Sequence, residues 1–176
     1  HGFSDKKYGN LFYRIIDIVK EKRPPVLFLE NVKNLKSHDG GKTWLEIERC
    51  LLECEYYVHK KIIDARYWVP QHRERIFIVC FDKSVFSENI DFEFPDPKNY
   101  SQPNLDSILI KEPDNKYMLS DKLWAYLQAY AEKHRIKGNG FGYGLFGRDD
   151  VARTMSARYY KDGSEILIKQ KNWRNP

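Results

Sequence analysis

The tightest constraint on this chain lies between Pro24 and Leu35, in the stretch PPVLFLENVKNL. Two consecutive prolines remove two backbone donors and push the preceding residue out of the helical region, so any helix before them must stop. Four apolar residues follow, Val26, Leu27, Phe28 and Leu29, without polar alternation. A short run of that kind predicts a strand buried on both faces, as in a parallel sheet. The run ends in Glu30 and Asn31. In open α/β sheets ligands bind beyond the carboxyl ends of the strands, where a carboxylate can point into a cleft instead of the core. A helix cap or a surface turn would account for the same pair, and the stretch alone leaves both readings open.

The flanking segments fit this frame. Leu11, Phe12, Ile15, Ile16 and Val19 recur at helical spacing up to Arg23. Lys42–Cys54 repeats the pattern, with Trp44, Ile47, Leu51 and Cys54 on one stripe. Tyr57–Ile63 and Arg75–Phe81 read as strands. The order helix, strand, helix, strand, strand predicts the second half of an α/β sheet ending in a hairpin. The composition then shifts at DFEFPDPKNYSQP, which reads as a linker near 91–105 and divides the chain into domains 1–90 and 91–176. Beyond it, Leu119–Arg135 is a helical pattern with Ser120 or Asp121 as its cap. A glycine-rich cluster, KGNGFGYGLFG, precedes ARTMSARYYKDGSEILI, which reads as two strands around a Lys161-Asp162-Gly163 turn.

Charge and cysteine content narrow the function. A net charge of +5 favours a polyanionic partner without requiring one. Cys50, Cys54 and Cys80 are an odd set, which argues against a disulfide scaffold and for a reducing compartment. Cys50 and Cys54 are spaced i, i+4 and could share a helix face, but no Cys or His pair stands at ligand spacing elsewhere, so no metal site is expected. No apolar run reaches membrane-spanning length. The first residues, HGFSDKKYGN, and the last, KQKNWRNP, do not read as natural domain edges, so the chain is expected to be a piece of something longer.

A second polar constellation is VPQHRERIF. Gln71, Arg73 and Arg75 alternate, so in an extended segment they face one way. An amide and two guanidiniums on one face suit an anion or a base edge, although a charged edge strand has the same composition. In the tail, Asn139, Phe141 and Tyr143 lie among glycines that allow close backbone approach. Arg153, Thr154, Ser156 and Arg158 alternate along the expected strand, a polar face suited to a DNA groove or to plain solvation.

Taken together, LENV, then PQHRER opening a strand, then GNGFGYG and ARTMSARYYKDGSEILI resemble the DNA cytosine-5 methyltransferases, in particular the bacterial Dcm-like modification methylases. HGFSDKKYGNLFYRII resembles the family's segment just after its Pro-Cys catalytic loop. The departures are local: Asp64-Ala65, Trp68 and Thr154-Met155. The resemblance implies an α/β fold made of the C-terminal half of a Rossmann-like methyltransferase sheet plus a small, β-rich target-recognition domain. It implies transfer of a methyl group from S-adenosylmethionine to C5 of a flipped cytosine in a specific duplex, in a bacterial cytoplasmic enzyme that associates with the nucleoid when bound. Glu30, Asn31, Gln71, Arg73 and Arg75 then belong to the catalytic site. Asn139, Phe141, Tyr143, Arg153, Thr154, Ser156 and Arg158 belong to the DNA surface. No cysteine here follows a proline, so the nucleophile and most of the cofactor site are expected outside the chain, in the remainder of the same enzyme, and the 176 residues alone are expected to be inactive. A non-catalytic DNA-binding fragment, or a subunit needing a partner chain, is the alternative.

Overall fold

The computed structural model describes residues 11–88, 90–139, 142–157, 165–171 and 174–176. The chain divides into two compact units, residues 1–64 with 74–96, and residues 65–73 with 97–176.

In the first unit, α1 (Leu11–Lys22), β1 (Val26–Val32), α2 (Lys42–Glu53), β2 (Tyr56–Asp64) and β3 (Glu74–Asp82) follow the expected order. The sheet order is β1-β3-β2, and β3 runs antiparallel to both neighbours. Leu27 on β1, Ile76, Ile78 and Cys80 on β3, and Tyr56 on β2 face the helices. They pack with Ile16 and Val19 of α1 and Trp44, Ile47, Cys50 and Leu51 of α2 into one buried cluster. The apolar stripes read from the sequence are therefore the buried faces of the two helices. Arg23 closes α1 in a left-handed conformation (φ 43°), and its backbone N–H donates to Val19 O at 2.9 Å. Its guanidinium donates to Asp82 Oδ1 at 2.6 Å and to Cys54 O at 2.8 Å. Asp82 is wholly buried and also accepts from Ser84 N and Oγ. Burial raises its pKa, but the hydrogen bonds from Ser84 and the Arg23 charge outweigh this and hold the carboxyl below its ordinary value.

The expectation of a parallel-type strand buried on both faces is corrected here. Leu27 is buried, yet Phe28 is 67% exposed and Val26 46%. Residues i and i+2 share a face, and both helices pack on the Leu27 face. The other face carries Phe28 stacked on Phe77 at 5.7 Å. Farther along, Phe92 lies against His59 and Phe81, and Phe94 against Phe92, so the stretch read as the start of a linker supplies rings to this sheet.

The second unit holds α3 (Asp121–Ile136) and a two-stranded parallel sheet of β4 (Gly144–Phe146) and β5 (Ile166–Ile168). Ser120 caps α3, its Oγ accepting from Leu123 N at 3.2 Å. A small buried cluster of Leu105, Ala152 and Ile166 joins the loop before α3 to the sheet. Only the ends of the expected hairpin lie among the described residues. β5 pairs with β4, and residues 152–157 form no strand beyond one bridge between Ala152 and Gln71. Its proposed turn, Lys161-Asp162-Gly163, lies outside the described residues.

Candidate active site and nucleic-acid interface

The polar end of β1 is built by register. Val32 stands opposite Arg75 and Glu30 opposite Phe77, so Glu30 and Arg75 project from the sheet face turned away from the helices. Arg75 Nε lies 2.9 Å from Glu30 Oε1. The pair is asymmetric, since the Arg75 side chain is 17% exposed and that of Glu30 44%. A further nitrogen of Arg75 donates to Glu74 O at 2.8 Å, which fixes the plane of the guanidinium. The arginine is therefore the anchored partner, and it leaves Glu30 with an oriented carboxylate open on one side. The helix-cap reading of Glu30 does not hold. The 3₁₀ turn Lys33–Lys36 has Val32 at its cap position and no side-chain cap bond. Asn31 serves the backbone, its Oδ1 accepting from Val32 N at 2.8 Å. Lys33 forms an ion pair with Glu74 beside it.

Gln71 and Arg73 are not on the strand with Arg75. β3 begins only at Glu74, and residues 65–73 group with the second unit. Within that unit the Val69–Arg73 segment is stitched to residues 152–154. His72 N donates to Ala152 O at 2.7 Å, Ala152 N to Pro70 O at 3.0 Å, and Thr154 Oγ1 to His72 O at 2.6 Å. Arg73 O accepts from Ala65 N at 3.0 Å. The alternation seen in the sequence thus breaks where the backbone hydrogen bonds change partner.

The tail residues are also drawn into internal bonds. One nitrogen of Arg153 donates to Gly142 O at 3.0 Å and to Glu165 O at 2.8 Å, tying the glycine–aromatic segment to the entry of β5. Ser156 Oγ donates to Glu165 Oε1 at 2.7 Å. Asn139 Nδ2 donates to His134 Nδ1 at 3.3 Å, and the Tyr143 ring lies 4.9 Å from Trp124. The glycines serve protein packing: a Cβ at Gly142 would stand 3.3 Å from Ala131 Cβ, and one at Gly144 only 2.6 Å from the Phe146 ring. Phe141 and Arg158 lie outside the described residues. The sequence reading missed Glu165 as the partner of both Arg153 and Ser156. Nothing in a lone Glu before an apolar triplet signals that role.

None of the three thiols is prepared to act as a nucleophile. Cys50, Cys54 and Cys80 are free and buried. Burial pushes the Cys80 thiol up to about 12. The Cys50 thiol is raised by burial first and by its hydrogen bond to Glu46 second.

These features meet a clear relationship. The family model for C-5 cytosine-specific DNA methylases matches residues 1–175, and the chain belongs to that family. It is 49% identical to the type II methyltransferase M1.ScrFI of Lactococcus lactis subsp. cremoris, over 99% of this chain and 45% of that protein. It is 43% identical to the DNA-cytosine methyltransferase of Escherichia coli K12, over 96% of this chain and 39% of that protein. The chain thus spans less than half the length of these curated relatives. Among solved structures, S. pombe Dnmt2 methyltransferase matches with a TM-score of 0.64 over 99% of this chain and 53% of its own, at 14% identity, a likeness of fold. Among the described residues no helix is long and apolar enough to cross a membrane.

Proposed function

We propose that the enzyme to which these residues belong methylates C5 of a cytosine swung out of a specific DNA duplex, with Glu30 and Arg75 as the groups that meet the ring. The observation that carries this is the Glu30–Arg75 pair, oriented at a strand end on the sheet face free of helices. C5 of cytosine is a weak nucleophile. Addition of a thiolate to C6 moves electron density onto N3 and O2 and makes C5 enamine-like. A carboxyl group at N3 holds the ring and supplies the proton there, and a guanidinium beside O2 or the flanking phosphate balances the charge. Glu30 takes the first role and Arg75 the second. Their mutual hydrogen bond keeps the carboxylate aimed before the base arrives. The thiolate comes from residues outside this chain, consistent with three buried, unactivated cysteines.

S-adenosylmethionine supplies the methyl group in this family. At the end of β1, Asn31 Oδ1 accepts from Val32 N, and the open side of Glu30 is assigned to the base. We place most of its site outside these residues. The second unit is assigned to reading the duplex. Arg153, Thr154 and Ser156 brace that surface from within, Gln71 and Arg73 hold its edge, and Asn139, Phe141, Tyr143 and Arg158 supply contacts to DNA.

The test is Glu30→Gln in the full-length enzyme. Turnover should fall roughly 10²-fold or more, the usual share of a positioned acid–base group, while duplex affinity is retained. Spared turnover with lost DNA binding would reduce Glu30 to a structural residue.

A further inference from the structure

The second unit contains a cleft of about 570 Å³ that the catalytic reading does not use. Its charged lining is Lys111, Arg148, Lys169 and Lys171, with Glu112 and Asp149. Three separate segments build it: the loop after Leu105–Ser107, the turn after β4, and the residues after β5. Backbone bonds hold them together. Asp106 N donates to Arg148 O at 2.8 Å, Leu105 N to Asp150 O at 2.9 Å, and Lys169 N to Phe146 O at 2.8 Å. Arg148 is ion-paired with Asp106, so its charge is already balanced. Lys111, Lys169 and Lys171 are exposed and have no ion pair among the described residues.

We propose that this cleft seats one phosphodiester of the DNA backbone, held by Lys111, Lys169 and Lys171. The inference rests on the reading of duplex DNA as the substrate. Ammonium groups on flexible stems meet an anion as point charges and lack the planar fork that reads a base edge or grips a carboxylate, so the site positions the duplex without reading its sequence. Glu112 and Asp149 trim three ammonium charges to a local excess of about one. That net positive charge suits an anionic phosphodiester.

The experiment compares the full-length enzyme with its Lys111→Ala/Lys169→Ala/Lys171→Ala variant, and with the same three changed to Arg, on cognate and scrambled duplexes over a range of salt. The alanine variant should weaken both duplexes by the same factor. Its dependence of log affinity on log salt should be shallower by about 0.9, the contribution of one neutralised phosphate. Turnover at saturating DNA should be unchanged, and the arginine variant should restore the slope. A thermal melt checks that the exposed substitutions leave the fold intact. An unchanged slope in an enzyme that still binds and methylates duplex removes the cleft from the DNA path and leaves the catalytic reading standing. Loss confined to the cognate duplex makes the cleft a base reader and overturns the proposal. If the parent enzyme shows no salt-dependent duplex binding, the DNA reading and the cleft fall together.

Discussion

The two units of this chain are held by different forces. In the first, a sheet and two helices bury Leu51, Tyr56, Ile76 and Cys80 almost completely, and polar bonds such as Arg23–Asp82 sit at the margins of that core. In the second, the cluster joining loop to sheet has Leu105, Ala152 and Ile166 buried among the described residues, with Leu109, Phe146 and Ile168 packed against them. Side-chain-to-backbone bonds do much of the work there: Arg153 to two carbonyls, Thr154 to His72, and Asp150 to Gly147 N at 2.6 Å. Apolar burial is non-directional, so it tolerates changes that keep volume and pattern. A hydrogen-bonded scaffold depends on particular atoms, and each partner removed leaves a donor or acceptor unpaired. On the proposed function, the first unit suits chemistry that is the same for every cytosine. The second suits a surface whose loops are fixed by a few polar braces.

The contrast is broken most sharply by truncating the first core. Leu51→Ala removes a side chain with 0% exposure and should cost about 3–4 kcal/mol, whereas Leu105→Ala in the smaller cluster should cost about 2 kcal/mol. Urea unfolding monitored by hydrogen exchange in each unit measures both. Equal costs would show that the second unit relies on its apolar cluster as much as the first.

Arg153→Ala comes next. Two carbonyls lose a charged donor, and the second unit should lose roughly 1.5–3 kcal/mol, with cognate and scrambled duplexes bound less well to the same degree. If stability holds and preference relaxes at a single base pair, Arg153 reads DNA directly and the brace is secondary.

Asp82 sharpens the comparison through pH. Its folded pKa is depressed, so its stabilisation is complete above the unfolded value and is lost as pH falls through the lower, folded one. The first unit should therefore lose stability below the ordinary aspartate range, about pH 3.9 and under. Asp82→Asn should be less stable at neutral pH and show a flatter acid limb. An acid limb identical to the parent's would place the acid sensitivity in other carboxylates.

The smallest effect is expected at Ser156→Ala. The residue is exposed, and its bond to Glu165 should be worth about 0.5–1 kcal/mol by thermal melting. A loss as large as that of Arg153→Ala would mean that Glu165 is the keystone of the tail.

The sequence by itself determined the elements of the first unit. Helical periodicity names the faces that Ile16, Val19, Trp44, Ile47 and Leu51 bury, and Pro24-Pro25 marks where α1 must end. It also placed Glu30 at a strand end. These are local properties, set by side-chain period and backbone sterics over a few residues. The tertiary structure alone decided what depends on partners distant in the chain. Packing of both helices on the Leu27 face left Phe28 exposed, and pairing with β3 brought Arg75 to Glu30. Parallel pairing of β5 with β4 is a choice of partner that the local pattern did not suggest. Glu165 became the partner of Arg153 and Ser156, and glycines that looked free to approach DNA were filled by Ala131 and Phe146. Register and hydrogen-bond partners are chosen by which segments meet, and a strand's own residues do not carry that choice.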